Sequence, residues 1–292
     1  KWVGMECLTA KDQMLKTLLA YATQHGLPRF DSIPVSLEVP GGASLRLAGT
    51  PIADNSAWRA LQHAHAAVAD GSHPDVTLSD GQANLWLLKP SRGCGGTGIF
   101  IDSDIQALMD YASNSAVGCW VAQKYLERPL LFDGRKFDMR VWALVSSAPE
   151  TALGLEVRVY REGYLRTSSE QYSLQRKVSD GFHGEKDNIS RARCAKASPD
   201  GPAIVSKYDL LVHLTNHCQQ RAASSLGRYE EGNTASYADL ERAHPHLELR
   251  ERVLPKVYEL IASSILAARP HLVAANNGRG PQVYACLLYT SP

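Results

Sequence analysis

Leu15, Leu18, Leu19 and Ala22 recur at helical spacing near the start of the chain, and Gly26 is placed to end the helix they predict. Residues 31–51 carry prolines and the Gly41–Gly42 pair around short extended pieces. A second amphipathic helix is predicted from about Ser56, with Trp58, Leu61, His65 and Val68 on one side, followed by a surface loop from Gly71 to Gly81. From Leu85 the pattern becomes strand-like, with runs at 85–89, 99–101, 120–123, 139–145 and 155–160. Residues 178–207, with Asp180-Gly181 and Pro199-Asp-Gly201, read as a long insertion or mobile loop. The last third is predicted helical, over 237–243 and 247–268, and Pro255 should begin or kink the final helix. This order of helices, strands and helices predicts a mixed α/β or α+β pair of domains.

Composition narrows the class. The chain has 292 residues, 44% of them hydrophobic, and its 31 Lys+Arg against 30 Asp+Glu give a formal net charge of +1. That balance provides no global attraction to nucleic acid, and no run of about 18 apolar residues predicts a membrane span. The chain begins at Lys1, and its last residues, 286–292, read as a translated transposase adapter used in sequencing libraries. Residues 1 to about 285 are therefore expected to be an internal piece of a longer protein. Setting the adapter aside leaves Cys7, Cys94, Cys119, Cys194 and Cys218, an odd set without a C-x-x-C pair. Such a set fits a reducing compartment better than a disulfide framework or a zinc site. His213 and His217 have the spacing of two helical metal ligands, and His63/His65 and His244/His246 form close pairs. None has a third ligand, so the close pairs are expected to be exposed or hydrogen-bonded.

The most informative segment runs from Leu87 through Lys89, Ser91 and the glycines at 93, 95, 96 and 98 to Ile101. Those glycines let backbone N–H groups converge on an anion such as a triphosphate. Gly93, Gly95 and Gly98 match a dinucleotide fingerprint formally, but that motif requires a following helix, and here Ile99-Phe100-Ile101 predicts a strand. A Walker loop fails because Ile99, not Lys, follows Gly98, and a protein-kinase reading fails because Lys89 precedes the loop. A strand–glycine loop–strand hairpin remains, either plainly structural or a phosphate cover.

The next block favours the phosphate cover. Gln123 and Lys124 end a strand before Pro129, where backbone groups can read an adenine edge and Lys124 can reach a ring nitrogen. With a two-residue period, Lys136, Asp138 and Arg140 share one face of a strand and Phe137, Met139 and Val141 the other. Such a charged face is either a solvated edge or the lining of a cleft; downstream of a phosphate loop, a cleft is expected. Lys136 would neutralise a phosphate there, and Arg140 would grip an anion in forked geometry. Nine basic residues against six acidic ones between Arg128 and Lys177 tilt this region toward an anionic partner.

The run Trp86-Leu-Leu-Lys-Pro-Ser, the glycine loop, Gln123-Lys-Tyr-Leu-Glu127 and Arg135-Lys-Phe-Asp-Met-Arg140 resembles the tubulin–tyrosine ligase family of ATP-grasp enzymes. Three later blocks, 160–169, 213–218 and 227–233, bring the resemblance closer to the tyrosine-adding members. The resemblance implies an α/β ATP-grasp fold, with a lobe over 1–125 carrying the glycine hairpin and an incomplete lobe over 126–285 with a long loop at 173–212. It implies phosphate contacts by Lys89, Ser91, Lys136 and the hairpin glycines, and adenine contacts around Gln123, Lys124, Tyr125 and Leu126. Asp138 would meet the ribose or the metal shell, Thr215 and Asn216 would add nucleotide or metal contacts, and His213 and His217 would flank that site. Arg140 and Arg166 would hold the reacting carboxylate and the phosphate passed to it.

The implied cofactors are ATP and Mg2+, and the implied partners are the α-tubulin tail, or the αβ-tubulin dimer, and free tyrosine. The activity would be ATP-dependent addition of tyrosine to the C-terminal carboxylate of α-tubulin through an acyl phosphate, in the cytoplasm and on the cytoskeleton. A carboxylate is a poor electrophile, so phosphorylation must activate it, with lysines, arginines and Mg2+ offsetting the repulsion between anions. No side-chain nucleophile is required, and Cys94 has no base assigned beside it. Alternatives are addition of glutamate or glycine to tubulin tails by another member, or an inactive binding protein that keeps the fold. The magnesium ligands are expected after residue 285, so none is assigned here, and Val273-Ala-Ala-Asn-Asn277 offers no carboxylate. Most of the N-terminal tubulin-gripping region is also expected to be missing. Residues 1–285 alone are therefore expected neither to ligate nor to bind MgATP tightly.

Overall fold

The computed structural model describes residues 4–175, 206–221, 223–274 and 283–290. By contact the chain forms two units, one from Phe30–Arg128 with Ser173–Leu214, the other from Lys1–Arg29, Pro129–Tyr172 and Thr215–Pro292. These units divide at Arg128, and the expected boundary was 125. Residues 1–29, however, group with the later unit, because Met5 and Cys7 are buried in a core with Val141, Val145, Ile261 and Ile265.

The Phe30–Arg128 unit is built on an antiparallel sheet of β1 (Ser36–Pro40), β2 (Trp86–Pro90), β3 (Phe100–Asp102) and β4 (Cys119–Lys124), in the order β1-β4-β2-β3. The amphipathic pattern from Ser56 becomes the helix Ser56–Ala69, which buries Trp58, Leu61 and Val68. Asn55 caps it, its side chain accepting from the N–H groups of Ala57 and Trp58. The core joins those residues to Val39, Leu88, Phe100, Leu108 and Trp120. Each fully buried aliphatic or aromatic side chain contributes roughly 1.5–3 kcal/mol. Residues 31–51 supply β1 and the helix Gly42–Ala48, where extended pieces alone were expected. Gly41 and Gly42 permit this, since a Cβ on either would lie 2.1 or 2.0 Å from a backbone oxygen, of Val117 or Ser113.

The other unit is organised by β6 (Arg135–Ala148), reached through the short β5 (Leu131–Phe132). Asp133 and Gly134 between them both take left-handed backbone, at φ 48° and 74°, as a tight hairpin turn demands. β6 pairs with β7 (Gly154–Val159), β8 (Tyr164–Thr167) and β10 (Val283–Thr290), and β8 pairs with β9 (Thr234–Ser236). β10 runs across residue 286, where the adapter was expected to begin. Phe137, Met139, Val141, Ala143 and Val145 are all buried, as a period of two requires. Against them lies the helix Leu254–Ala274, whose Val257, Ile261, Ile265, Ala268 and Leu272 repeat at helical spacing. Pro255 sits at its second residue, where a missing N–H costs nothing, whereas Pro270 falls inside it. Of the expected loop at 173–212, residues 176–205 lie outside the described residues, and Leu210–His213 is a short helix.

Candidate active site

The alternation Lys136, Asp138, Arg140 places three charges on one face of β6, and none is solvated: they are 9%, 1% and 9% exposed. The solvated-edge alternative is thereby removed. Antiparallel register sets Arg166 of β8 directly opposite Asp138. Arg166 donates from Nε to Asp138 Oδ1 at 2.9 Å and from Nη2 to Oδ2 at 3.0 Å. Arg140 Nε lies 2.8 Å from the same Oδ2, and the Thr215 hydroxyl also bonds this carboxylate. Burial pushes the Asp138 carboxyl up to about 6, against the lowering influence of Arg166, Thr215 and Lys136. One acid is thus gathered with three cations in a site poor in water, an arrangement whose net positive charge suits an anion.

The remaining candidates lie in the unit of Phe30–Arg128 and Ser173–Leu214, except Asn216 and its neighbour His217, which belong to the other unit. The glycine segment is a β2–β3 hairpin in register from Trp86↔Asp102 to Leu88↔Phe100, and the next helix starts only at Ile105, capped by Asp104. Gly93, Gly95, Gly96 and Gly98 all have positive φ, between 67° and 133°. A Cβ on Gly98 would also come within 3.0 Å of Pro90. Ser91 is buried, its N–H on Cys119 O at 3.0 Å, and Lys89 Nζ donates to Gln123 Oε1. Gln123 Nε2 in turn donates to Ser36 Oγ at 2.8 Å.

Lys124 is differently placed from the expectation that it reaches a ring nitrogen. It is buried, and Nζ donates to Leu85 O at 3.0 Å, Tyr125 O at 3.1 Å and Glu127 Oε1 at 2.6 Å. An ammonium has three N–H donors, and three protein acceptors already surround this one. Burial lowers its pKa and Glu127 opposes that shift. Leu126 is 40% exposed, while Tyr125 is buried with its hydroxyl 3.0 Å from His213 Nδ1. His213 ends one short helix and His217 begins another, so they share no helical face for a metal. Asn216 caps the second helix without a side-chain bond. Of the close histidine pairs, His65 Nε2 meets Ser103 O at 2.9 Å and His244 Nε2 meets Leu131 O at 2.8 Å, as structural histidines should.

Sequence reasoning missed two supports. Glu127 is 1% exposed and accepts from Leu85 N–H at 2.7 Å, from Ala83 N–H and from Lys124, tying the end of β4 to the start of β2. Arg135 is fully buried at the start of β6, paired with Glu230 and stacked 4.2 Å from the Tyr229 ring centroid. Their signal was faint, a charged residue at each end of a recognisable block. An open depression of about 530 Å³ lies by Phe132, Tyr229 and Glu230, and none of the candidate residues lines it.

Residues 54–183 match the family model described as "Tubulin-tyrosine ligase family". Among curated proteins, the chain is similar to Tubulin glycylase 3A of Drosophila melanogaster, at 39% identity over 103 residues, 35% of this chain and 10% of that protein. It is similar to Tubulin monoglycylase TTLL3 of Homo sapiens, at 37% over 106 residues, 35% of the chain and 13% of the relative. Over a longer stretch, 203 residues, it is 26% identical to Tubulin glycylase 3E of Tetrahymena thermophila, covering 66% of the chain and 12% of the relative. The chain therefore spans only about a tenth to an eighth of the length of these relatives. These names do not bring the chain close to the tyrosine-adding members, as blocks 160–169, 213–218 and 227–233 had led us to expect. The mixed α/β architecture fits the ATP-grasp type of fold, and over residues 54–183 the chain is similar to the tubulin–tyrosine ligase family.

Proposed function

We propose that the chain is catalytic machinery of an ATP-dependent ligase that joins an amino acid to a carboxylate of a tubulin tail, with glycine the favoured amino acid. The observation that carries this reading is the Asp138 centre with Lys136, Arg140 and Arg166, which falls inside the matched residues 54–183. The choice of glycine rests on relatives named as glycylases and replaces tyrosine as the leading donor. Tyrosine remains the second reading because of the three later blocks that resemble tyrosine-adding members.

The residues present fit a nucleotide polyphosphate. A hairpin with four glycines at positive φ suits close approach of backbone N–H groups to phosphate, and Lys89 stands at its base. Lys136 and Arg140, both buried, and the partly buried Arg166 form a cationic group matched to anions. When bound, ATP would supply the phosphoryl group that turns the acceptor carboxylate into an acyl phosphate open to a donor amine. In this chain, Lys136 would hold phosphate, Arg140 and Arg166 would orient the acceptor carboxylate, and the backbone of 123–126 would hold the adenine. No residue of this chain is given the role of Mg2+ ligand. A cytoplasmic, cytoskeletal setting follows from such a substrate; no helix among the described residues is long and apolar enough to cross a membrane.

The test is an assay of the complete protein with tubulin, MgATP and labelled glycine, tyrosine or glutamate in parallel. ATP-dependent incorporation of glycine is expected. Preference for tyrosine or glutamate would move the protein to another branch, and no incorporation of any of the three would overturn the ligase reading.

A further inference from the structure

The block Gly227-Arg-Tyr-Glu-Glu-Gly-Asn233 marked the resemblance but received no function from it. Its two most deeply engaged residues act on β8, the strand that presents Arg166. Because side chains alternate across a sheet, Arg135 and Thr167 point to the face opposite Asp138 and Arg166. There Glu230 receives Arg135 through both carboxylate oxygens, with Nη1 3.0 Å from Oε2. The Thr167 hydroxyl donates to that Oε2 at 3.1 Å, and Arg135 Nη1 also reaches Ser168 O at 3.2 Å. One carboxylate therefore ties the start of β6 to the end of β8.

Asn233 completes the tie. It is 4% exposed and holds left-handed backbone at φ 55°, which asparagine tolerates better than most residues. Its Oδ1 accepts from Gly227 N–H at 2.8 Å, and its Nδ2 donates to Ser169 Oγ at 2.8 Å and Thr167 O at 3.3 Å. The chain leaves that turn directly into β9, which places Thr234 opposite Arg166. Arg166 is thus flanked by Asp138 on β6 and Thr234 on β9, the strand that Asn233 leads into.

We propose that Glu230 and Asn233 are positioning residues for Arg166, fixing the register of β8 from the opposite face so that the guanidinium meets the acceptor carboxylate at a set place. This rests on the reading that Arg166 holds the acceptor. A one-residue slip of β8 would turn Arg166 to the other face, so register decides whether it serves the site at all.

The test is a double-mutant cycle in the complete protein, with acceptor KM, ATP KM and kcat measured for each variant. Glu230→Gln keeps the shape but removes the charge, and about a tenfold rise in acceptor KM with ATP KM changed less than about twofold is expected. Added to Arg166→Ala, the same substitution should change acceptor KM by less than about twofold, because the residue it positions has gone. Thr167→Val, which removes one hydroxyl from Glu230 and spares the ion pair, enters the same cycle should Glu230→Gln fail to fold. Independent, multiplying effects of the two sites, or no acceptor effect of Glu230→Gln, overturn the positioning role and leave the role of Arg166 standing. If Arg166→Ala itself leaves acceptor KM unchanged, the reading of Arg166 and its positioning fall together.

Discussion

Arg166 and Asp138 stand directly opposite each other on β8 and β6 and join through two parallel hydrogen bonds of 2.9 and 3.0 Å. The pair faces an opposed balance. Forked geometry strengthens it, while 1% exposure makes an ionised Asp138 costly. The arginine expected to receive an anion is already held by a carboxylate, which fixes its direction in advance.

The raised pKa of Asp138 gives stability a pH dependence of definite sign. Between the ordinary value of 3.8 and about 6, the folded chain holds a proton that the unfolded chain releases. The contribution of this group is therefore full below about pH 4 and is lost as pH rises through about 6. Its size is on the order of 3 kcal/mol. Relative to Asp138→Asn, the parent should be more stable at pH 4.5 than at pH 7 by about that order, read from urea unfolding at both values. A parent that gains on the variant as pH rises would contradict this.

Lys124 and Glu127 make a buried pair that also satisfies backbone groups of Leu85 and Tyr125. Glu127→Ala leaves a buried ammonium and two N–H groups to find new partners, and a loss of about 3–5 kcal/mol is expected. Combining it with Lys124→Met should recover part of that loss, since the unpaired charge is removed too. Denaturant midpoints of the parent, the single variant and the double variant decide the matter.

Lys136→Ala and Arg166→Ala should separate in the complete protein. The first is expected to weaken ATP use with every acceptor, the second to act mainly on use of the tubulin tail. Steady-state kinetics with each substrate varied in turn distinguish them, and equal loss of ATP binding in both would refute the division.

Gly163, between β7 and β8, is held by a close approach. A Cβ there would lie 2.1 Å from Arg140 O and 2.3 Å from the Tyr237 hydroxyl, which itself donates to Arg140 O at 3.2 Å. Gly163→Ala is expected to cost about 2–3 kcal/mol by overpacking and to disturb Arg140. A melting temperature within error of the parent would show that the turn yields without cost.

Local patterns were legible where neighbours in sequence are also neighbours in space. The helix Ser56–Ala69, the glycine hairpin and the buried alternation of β6 all followed from periodicity and turn residues. β8 and β9, of four and three residues, are too short to carry a period, and they form because Leu165 and Ala235 find the core of Phe137 and Met139. The donor amino acid was not legible in the same way. The residues proposed to handle phosphate and carboxylate do not state which amine follows, and the relatives found are named for glycine.

By itself the sequence determined which side chains could carry the chemistry, since Lys136, Asp138 and Arg140 must share a face on any extended strand. Only the tertiary structure decided what each one meets. It placed Arg166 on Asp138, surrounded Lys124 with its own acceptors, and set Glu230 behind the strand that bears Arg166. Asp138 for Arg166, Leu85 O for Lys124 and Thr167 for Glu230 lie 28, 39 and 63 residues away along the chain. Periodicity fixes the face of a strand locally, whereas pairing across such distances depends on packing and register that no short segment contains.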